Sequence, residues 1–111
     1  MAFDVITPVR LGVQAIPTIT GTVYTVPAST RTILKSIDIA NTNGAGVTVS
    51  VYLVPSGDSA SNANTLLPGV TIAANTLLQW AGVQVLEAGD TLQAVGSTTG
   101  ISIIASGGEA V

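Results

Sequence analysis

The chain has 111 residues, of which 47% are hydrophobic and only 8% charged, with a formal net charge of −3. That length supports one domain around one core. Three basic side chains cannot build a patch for nucleic-acid phosphates, the lack of cysteine removes disulfide and thiol chemistry, and no apolar run approaches the ~20 residues a membrane-spanning helix needs.

In chain order, residues 1–8 read as an extended N-terminal arm, with pairing of Val5-Ile6 into a sheet as the alternative. The opening Met-Ala-Phe-Asp lacks the basic start and apolar stretch of a signal peptide, so synthesis in the cytoplasm is expected. From residue 9 onward the periodicity is two, the signature of strands. Strands are expected at Leu11–Ile16, Thr22–Val26, Thr30–Asn41, Gly46–Val54, Val70–Ala73, Thr76–Trp80, Val83–Leu86, Thr91–Val95 and Ile101–Ser106. Gly21, Asn43-Gly44, Pro68-Gly69, Gly82, Gly89-Asp90 and Gly100 separate them.

In the third of these strands, Lys35 falls on the face of Ile33, Ile37 and Ile39 and breaks the alternation. Either its stem is buried where the strand leaves the core, or a β-bulge shifts the phase. Residues 55–68 form a loop of unusual length, the kind that often carries function; Leu66 and Leu67 are its apolar members. A short pattern, apolar–x–Ala–turn–Thr, recurs at Val26–Thr30, Ile72–Thr76 and Leu86–Thr91, each time closing one strand and opening the next. The expected fold is all-β: an antiparallel β-sandwich, jelly-roll-like, of about eight short strands, with residues 9–111 as a single domain.

The side chains that carry chemistry are scarce. There is no histidine, hence no usual base for a nucleophile and no common transition-metal ligand. Lys35 is a lone strand lysine. Glu87 and Asp90 are the only acids close in sequence, but a tight turn offers no cleft between them. Asp90 is expected to accept backbone N–H bonds inside its own turn. No loop supplies enough oxygen ligands for Ca²⁺. No catalytic residue, cofactor site or metal site is expected, and the chain is read as not an enzyme. Of four aromatic residues, Trp80 reads as core. Tyr52 alternates away from the Val47–Leu53 face, either exposed or on the second face of a covered strand.

With charge far below the roughly 25% of typical soluble domains, the surface must consist largely of Thr, Ser, Asn, Gln and Gly. Neutral polar surface is cheaper to desolvate than charge, which suits a protein covered by neighbours. Phe3, Val5, Ile6, Tyr52, Leu66 and Leu67 are the candidate contact residues.

The stretch from Val23 to Thr42, with its Tyr-Thr-Val-Pro-Ala turn, Lys-Ser-Ile strand and Asn-Thr ending, resembles small virion proteins of tailed bacteriophages. The later Leu86-Glu87-Ala88-Gly89-Asp90-Thr91-Leu92 is similar to a downstream element of the same proteins, so the resemblance spans Val23 to Val95. It implies a capsid decoration or cement protein on the virion surface, a homotrimer bound to the major capsid protein, with no direct nucleic-acid or membrane partner. A tail, baseplate or fibre module for host attachment is the alternative it leaves open.

Overall fold

The computed structural model describes residues 5–111. The period-two pattern becomes eight strands: β1 (Ile6–Ala15), β2 (Gly21–Thr25), β3 (Arg31–Asn41), β4 (Val47–Val54), β5 (Thr65–Ile72), β6 (Leu77–Leu86), β7 (Thr91–Gly96) and β8 (Ile101–Ala110). They build two four-stranded sheets, sheet A in the order β1-β8-β3-β6 and sheet B in the order β2-β7-β4-β5. Every ladder is antiparallel. Pairing of β1 with β8, β2 with β7, β3 with β6 and β4 with β5 is what results when one long hairpin, folded at the β4–β5 connection, is rolled up. This is a jelly roll, as the sequence leads one to expect.

The recurrent turn pattern makes the corners of the roll. Each instance joins strands in opposite sheets, and each places its fourth residue at positive φ: Ser29 at 55°, Asn75 at 55° and Gly89 at 87°. Asn and Gly tolerate this conformation and Ser less so. At the third corner the Asp90 carboxylate accepts from the backbone N–H of Glu87 and of Ser56, both at 2.9 Å. It is a structural acid, as its place in the turn suggests.

Between the sheets lie Leu34, Ile37, Ile39, Val49, Val51, Leu92, Ile101 and Ile103, all almost fully buried. Asn41 is buried with them, and its amide is satisfied on both sides. Nδ2 donates to the carbonyls of Ala45, Ile72 and Ala73, and Oδ1 accepts from the N–H of Asn43. It thereby ties the β3–β4 connection to the end of β5.

Three segments differ from the sequence reading. β1 begins at Ile6, so the second reading of Val5-Ile6 is the one seen: Ile6 pairs with Ala110, and Val5 exchanges backbone bonds with Val111. Thr65–Pro68 belongs to β5, which shortens the long loop to residues 55–64; within it a one-turn 3-10 helix, Asn62–Asn64, is capped by Ser61. Gly82 does not end a strand: β6 continues through it, with a register shift against β3 between Gln84 and Ala81. A Cβ there would stand 3.2 Å from the Trp80 ring, so the glycine makes room for an indole lying along its own strand. Trp80 itself is half-buried against the core.

Against β8, Lys35 is the bulged residue: Leu34 and Ile37 both point inward, and Leu34–Ser36 faces the single step Gly107–Ser106. Against β6 the register shifts at the same place in the other sense, Leu34–Ser36 facing Gln84–Ala81, so the extra residue there is in β6. In the same row β1 slips at Leu11, opposite Ser106 and Ala105 of β8. A line of irregularities therefore crosses sheet A, bending it and strengthening its twist. Where the row crosses β8 the backbones come so close that a Cβ on Gly107 would stand 1.9 Å from the Ile33 carbonyl oxygen. Gly107 is required by this approach; Gly108, on the other face, leaves room for the Ile6 side chain.

Candidate functional site

The bulge at Lys35 decides which side chains reach the outer face of sheet A. Because the phase slips there, Ile33 lies outside although Ile37 and Ile39 lie inside. Outside with it are Ile6 and Pro8 of β1, which flank it across β8. Gly108 pairs with both Pro8 and Ile33, so no side chain rises between them. The result is a shallow trough of about 340 Å³ lined by Ile6, Pro8, Ile33, Lys35, Gly107 and Gly108.

The trough is one part of a wider apolar face. Ile6 (59% exposed), Val13 (55%), Leu77 (58%), Val83 (58%), Val85 (54%) and Ile104 (43%) all project from strands of sheet A. Val13 and Ile104 are cross-strand neighbours, as are Val85 and Ile33. None of the large exposed hydrophobic residues lies in a strand of sheet B. The row of Arg10, Ser106 and Ser36 separates the Ile6–Pro8–Ile33–Val85 group from the Val13–Ile104 pair; exposed apolar groups gathered on one face are a feature of interaction sites on soluble proteins.

The electrostatics of this face are also unlike the rest of the chain. The three basic side chains of this net-negative sequence, Arg10, Arg31 and Lys35, all stand on β1 and β3 around the trough. Arg31 is held by Glu87, whose carboxylate accepts from Nε at 2.9 Å across an exposed ion pair. One acid intrudes: Asp38, between Ile104 of β8 and Gln79 of β6, has its Oδ1 buried with no hydrogen-bond partner. This oxygen is a desolvated acceptor on the same face as Gln79, its neighbour on β6.

At the same end of sheet A as the trough, on the inner side, a hydrogen-bonded group joins the two sheets. The Tyr24 hydroxyl of β2 donates to the Glu109 carboxylate of β8, and its oxygen accepts from the Thr32 hydroxyl of β3 at 2.7 Å. Burial, then the bond to Glu109 and its charge, push Tyr24 up to about 12, against an opposing pull from Thr32. A second depression, about 300 Å³, lies under the 55–64 loop between Leu53, Pro55, Leu66 and Gln84. Among the described residues no cluster of three or more acids could hold a metal ion.

The six contact residues named from the sequence fall apart into two groups. Val5 and Ile6 stand exposed at the edge of the apolar face. Tyr52, Leu66 and Leu67 belong to sheet B, all half-buried, with both leucines packed against the core. Phe3 lies outside the described residues. Sequence reasoning missed Pro8, Val13, Ile33, Val83, Val85 and Ile104. Their signal was apolar residues on both faces of β1, β6 and β8, which alternation alone cannot divide into inside and outside.

No protein-family model matches the chain, and no curated protein matches it. Among solved structures it is similar to a chain in the structure of infectious bursal disease virus, Gx strain, with a TM-score of 0.50 and 12% identity. The match covers 96% of this chain and 32% of that one, so the present chain spans about a third of its structural neighbour. The likeness is one of fold, extending over nearly the whole jelly roll.

Proposed function

We propose that the chain is a structural virion protein that decorates or cements a capsid by laying the outer face of sheet A against a subunit of the shell. The observation that carries this reading is the one-sided surface: the strongly exposed large apolar side chains of the strands, and all the basic ones, stand on sheet A and not on sheet B. Such a face is built to be covered. Jelly rolls are a recurrent architecture of virus shells, the structural neighbour comes from a virus, and the Val23–Val95 stretch resembles phage virion proteins. The partner's matching surface is an apolar ridge with acidic flanks, which would meet Arg10 and Lys35 and complement their charge. Contact of this kind needs no catalytic group, and area rather than reactive chemistry makes it durable.

Mass spectrometry of purified particles should find the chain in fixed proportion to the shell subunit. Ile6→Glu should weaken its co-sedimentation with particles lacking it by about 10–100-fold, as expected for an apolar contact residue replaced by a charge. Thr48→Glu on the opposite face should leave it unchanged. Particles devoid of the chain, or equal effects from the two substitutions, would remove the proposal.

A further inference from the structure

Of the chain's asparagines, only Asn43 is followed by glycine. The pair lies in the β3–β4 connection, at the end of β3 opposite the trough, where it ties three connections together. Asn43 Nδ2 donates to the Thr99 carbonyl in the β7–β8 turn at 2.8 Å, and the Asn43 carbonyl accepts from the N–H of Asn75 at the β5–β6 corner at 3.1 Å. Thr42 adds two bonds to the Gly100 carbonyl, from its N–H at 3.0 Å and from its hydroxyl at 2.7 Å. Gly100 stands at φ 79°, and a Cβ on it would lie 2.8 Å from Asn43 Oδ1, so the amide packs directly on this glycine.

The backbone nitrogen after this amide is both unbonded and unhindered. Gly44 is exposed, nothing lies within 4 Å of the place a Cβ would take, and among the described residues its N–H makes no hydrogen bond. The other asparagines differ. The N–H after Asn41 is bonded to the Gly100 carbonyl, and the one after Asn62 to Ser61 Oγ. Asn64 and Asn75 precede threonines, whose branched side chains crowd the nitrogen.

We infer that Asn43-Gly44 is a site of spontaneous covalent modification, at which the Gly44 nitrogen attacks the Asn43 side-chain carbonyl carbon and turns a latch between turns into a repulsive contact. The Gly44 nitrogen gives up its proton, and its electron pair forms the new bond to Asn43 Cγ. The Cγ–Nδ2 bond breaks, and Nδ2 leaves with that proton as ammonia. Water then opens the cyclic imide at either carbonyl, giving aspartate or isoaspartate. Against this the fold sets the bond from Nδ2 to Thr99. It is exposed and of ordinary strength, so it slows the attack by about tenfold at most.

The product cannot keep the latch. A carboxylate has no donor, so an oxygen faces the Thr99 carbonyl oxygen where an N–H stood, and one negative charge is added to the formal −3. Isoaspartate also lengthens the main chain of the connection by one methylene. The β7–β8 turn is thereby released from the β3–β4 connection. None of this depends on the virion reading, since the purified chain alone tests it.

Peptide mapping by mass spectrometry should follow the folded chain in mildly alkaline buffer, with the chain unfolded in urea as the reference. Asn43 should react ahead of the other asparagines, with isoaspartate among the products, and within about tenfold of its rate in urea. Gly44→Ala fills open space, so it should keep the fold while slowing the reaction at least about tenfold, by setting a side chain against the attacking nitrogen. In Asn43→Asp, and equally in aged wild-type chain, the Thr42 amide that donates to Gly100 should exchange with solvent at least about tenfold faster. The Val111 amide, bonded to Val5 at the other end of the sheet, should not change. A folded chain whose Asn43 stays intact while the unfolded chain reacts, a Gly44→Ala chain that reacts as fast as the wild type, or a Thr42 amide no faster in the deamidated chain would overturn the inference.

Discussion

The two outer faces of this jelly roll are made by strands of similar length from one sequence, yet they differ in kind. Sheet B turns Thr22, Thr48, Ser50, Tyr52, Thr71 and Gln93 outward, with Val95 beside Ser50, a mostly neutral polar coat. Sheet A turns out Ile6, Val13, Ile33, Val83, Val85 and Ile104, with every basic side chain among them. A domain of this size has no folding reason to leave so much apolar surface on one side only, since its core is closed by the inward rows of both sheets. The difference teaches that the low charge of the chain is not spread evenly. On the proposed reading, one face is solvated and the other is covered by a neighbour.

The sharpest way to break that comparison is to damage the backbone approach that shapes the apolar face. Gly107→Ala would drive a methyl group into the Ile33 carbonyl, which is backbone in the middle of a sheet and cannot step aside. We expect a loss of about 3 kcal/mol or more in unfolding free energy, measured by urea denaturation. Gly44→Ala, with open space around it, should change stability by less than about 0.5 kcal/mol.

A smaller effect is expected where the two sheets are joined. Tyr24→Phe removes the hydroxyl between Glu109 and Thr32 and should cost about 1–2 kcal/mol at neutral pH. The pH dependence identifies the group. Tyr24 titrates near 12 in the folded chain against an ordinary 10.0, so its neutral form is the one the fold favours. Its contribution is complete below pH 10 and is lost as pH rises from about 10 to about 12, because the unfolded chain then releases its proton first. Melting temperatures across that window should fall more steeply for the wild type than for Tyr24→Phe; parallel curves would mean that the hydroxyl bears no such load.

Much of the architecture was legible in the sequence because period-two alternation and turn chemistry are local. Val47–Val54 and Thr91–Gly96 fall within a residue or so of the expected bounds, and the three repeated turns prove to be corners sharing one positive-φ position. The surface was less legible, because exposure depends on partners distant in sequence. Ile33 read as a companion of Ile37 and Ile39 until the Lys35 bulge put it on the other side. Gly82 read as a turn because the Trp80 ring that needs its space cannot be placed from composition. Val5 and Ile6 were found for their position in a suspected arm, whereas Val13, Val85 and Ile104 sat in strands that read simply as apolar.

Asp38 offers the finest test of whether sheet A faces a neighbour. In the free chain its buried Oδ1 receives no hydrogen bond, so the desolvation of that oxygen is uncompensated. Asp38→Ala should therefore be neutral or raise unfolding free energy by up to about 1 kcal/mol. If the face is covered by a partner that donates to this oxygen, the same substitution should weaken attachment to particles. Opposite signs in the two assays are the mark of a group kept for a contact outside the molecule. A fall in both would mean that Asp38 serves the fold and not a contact outside it.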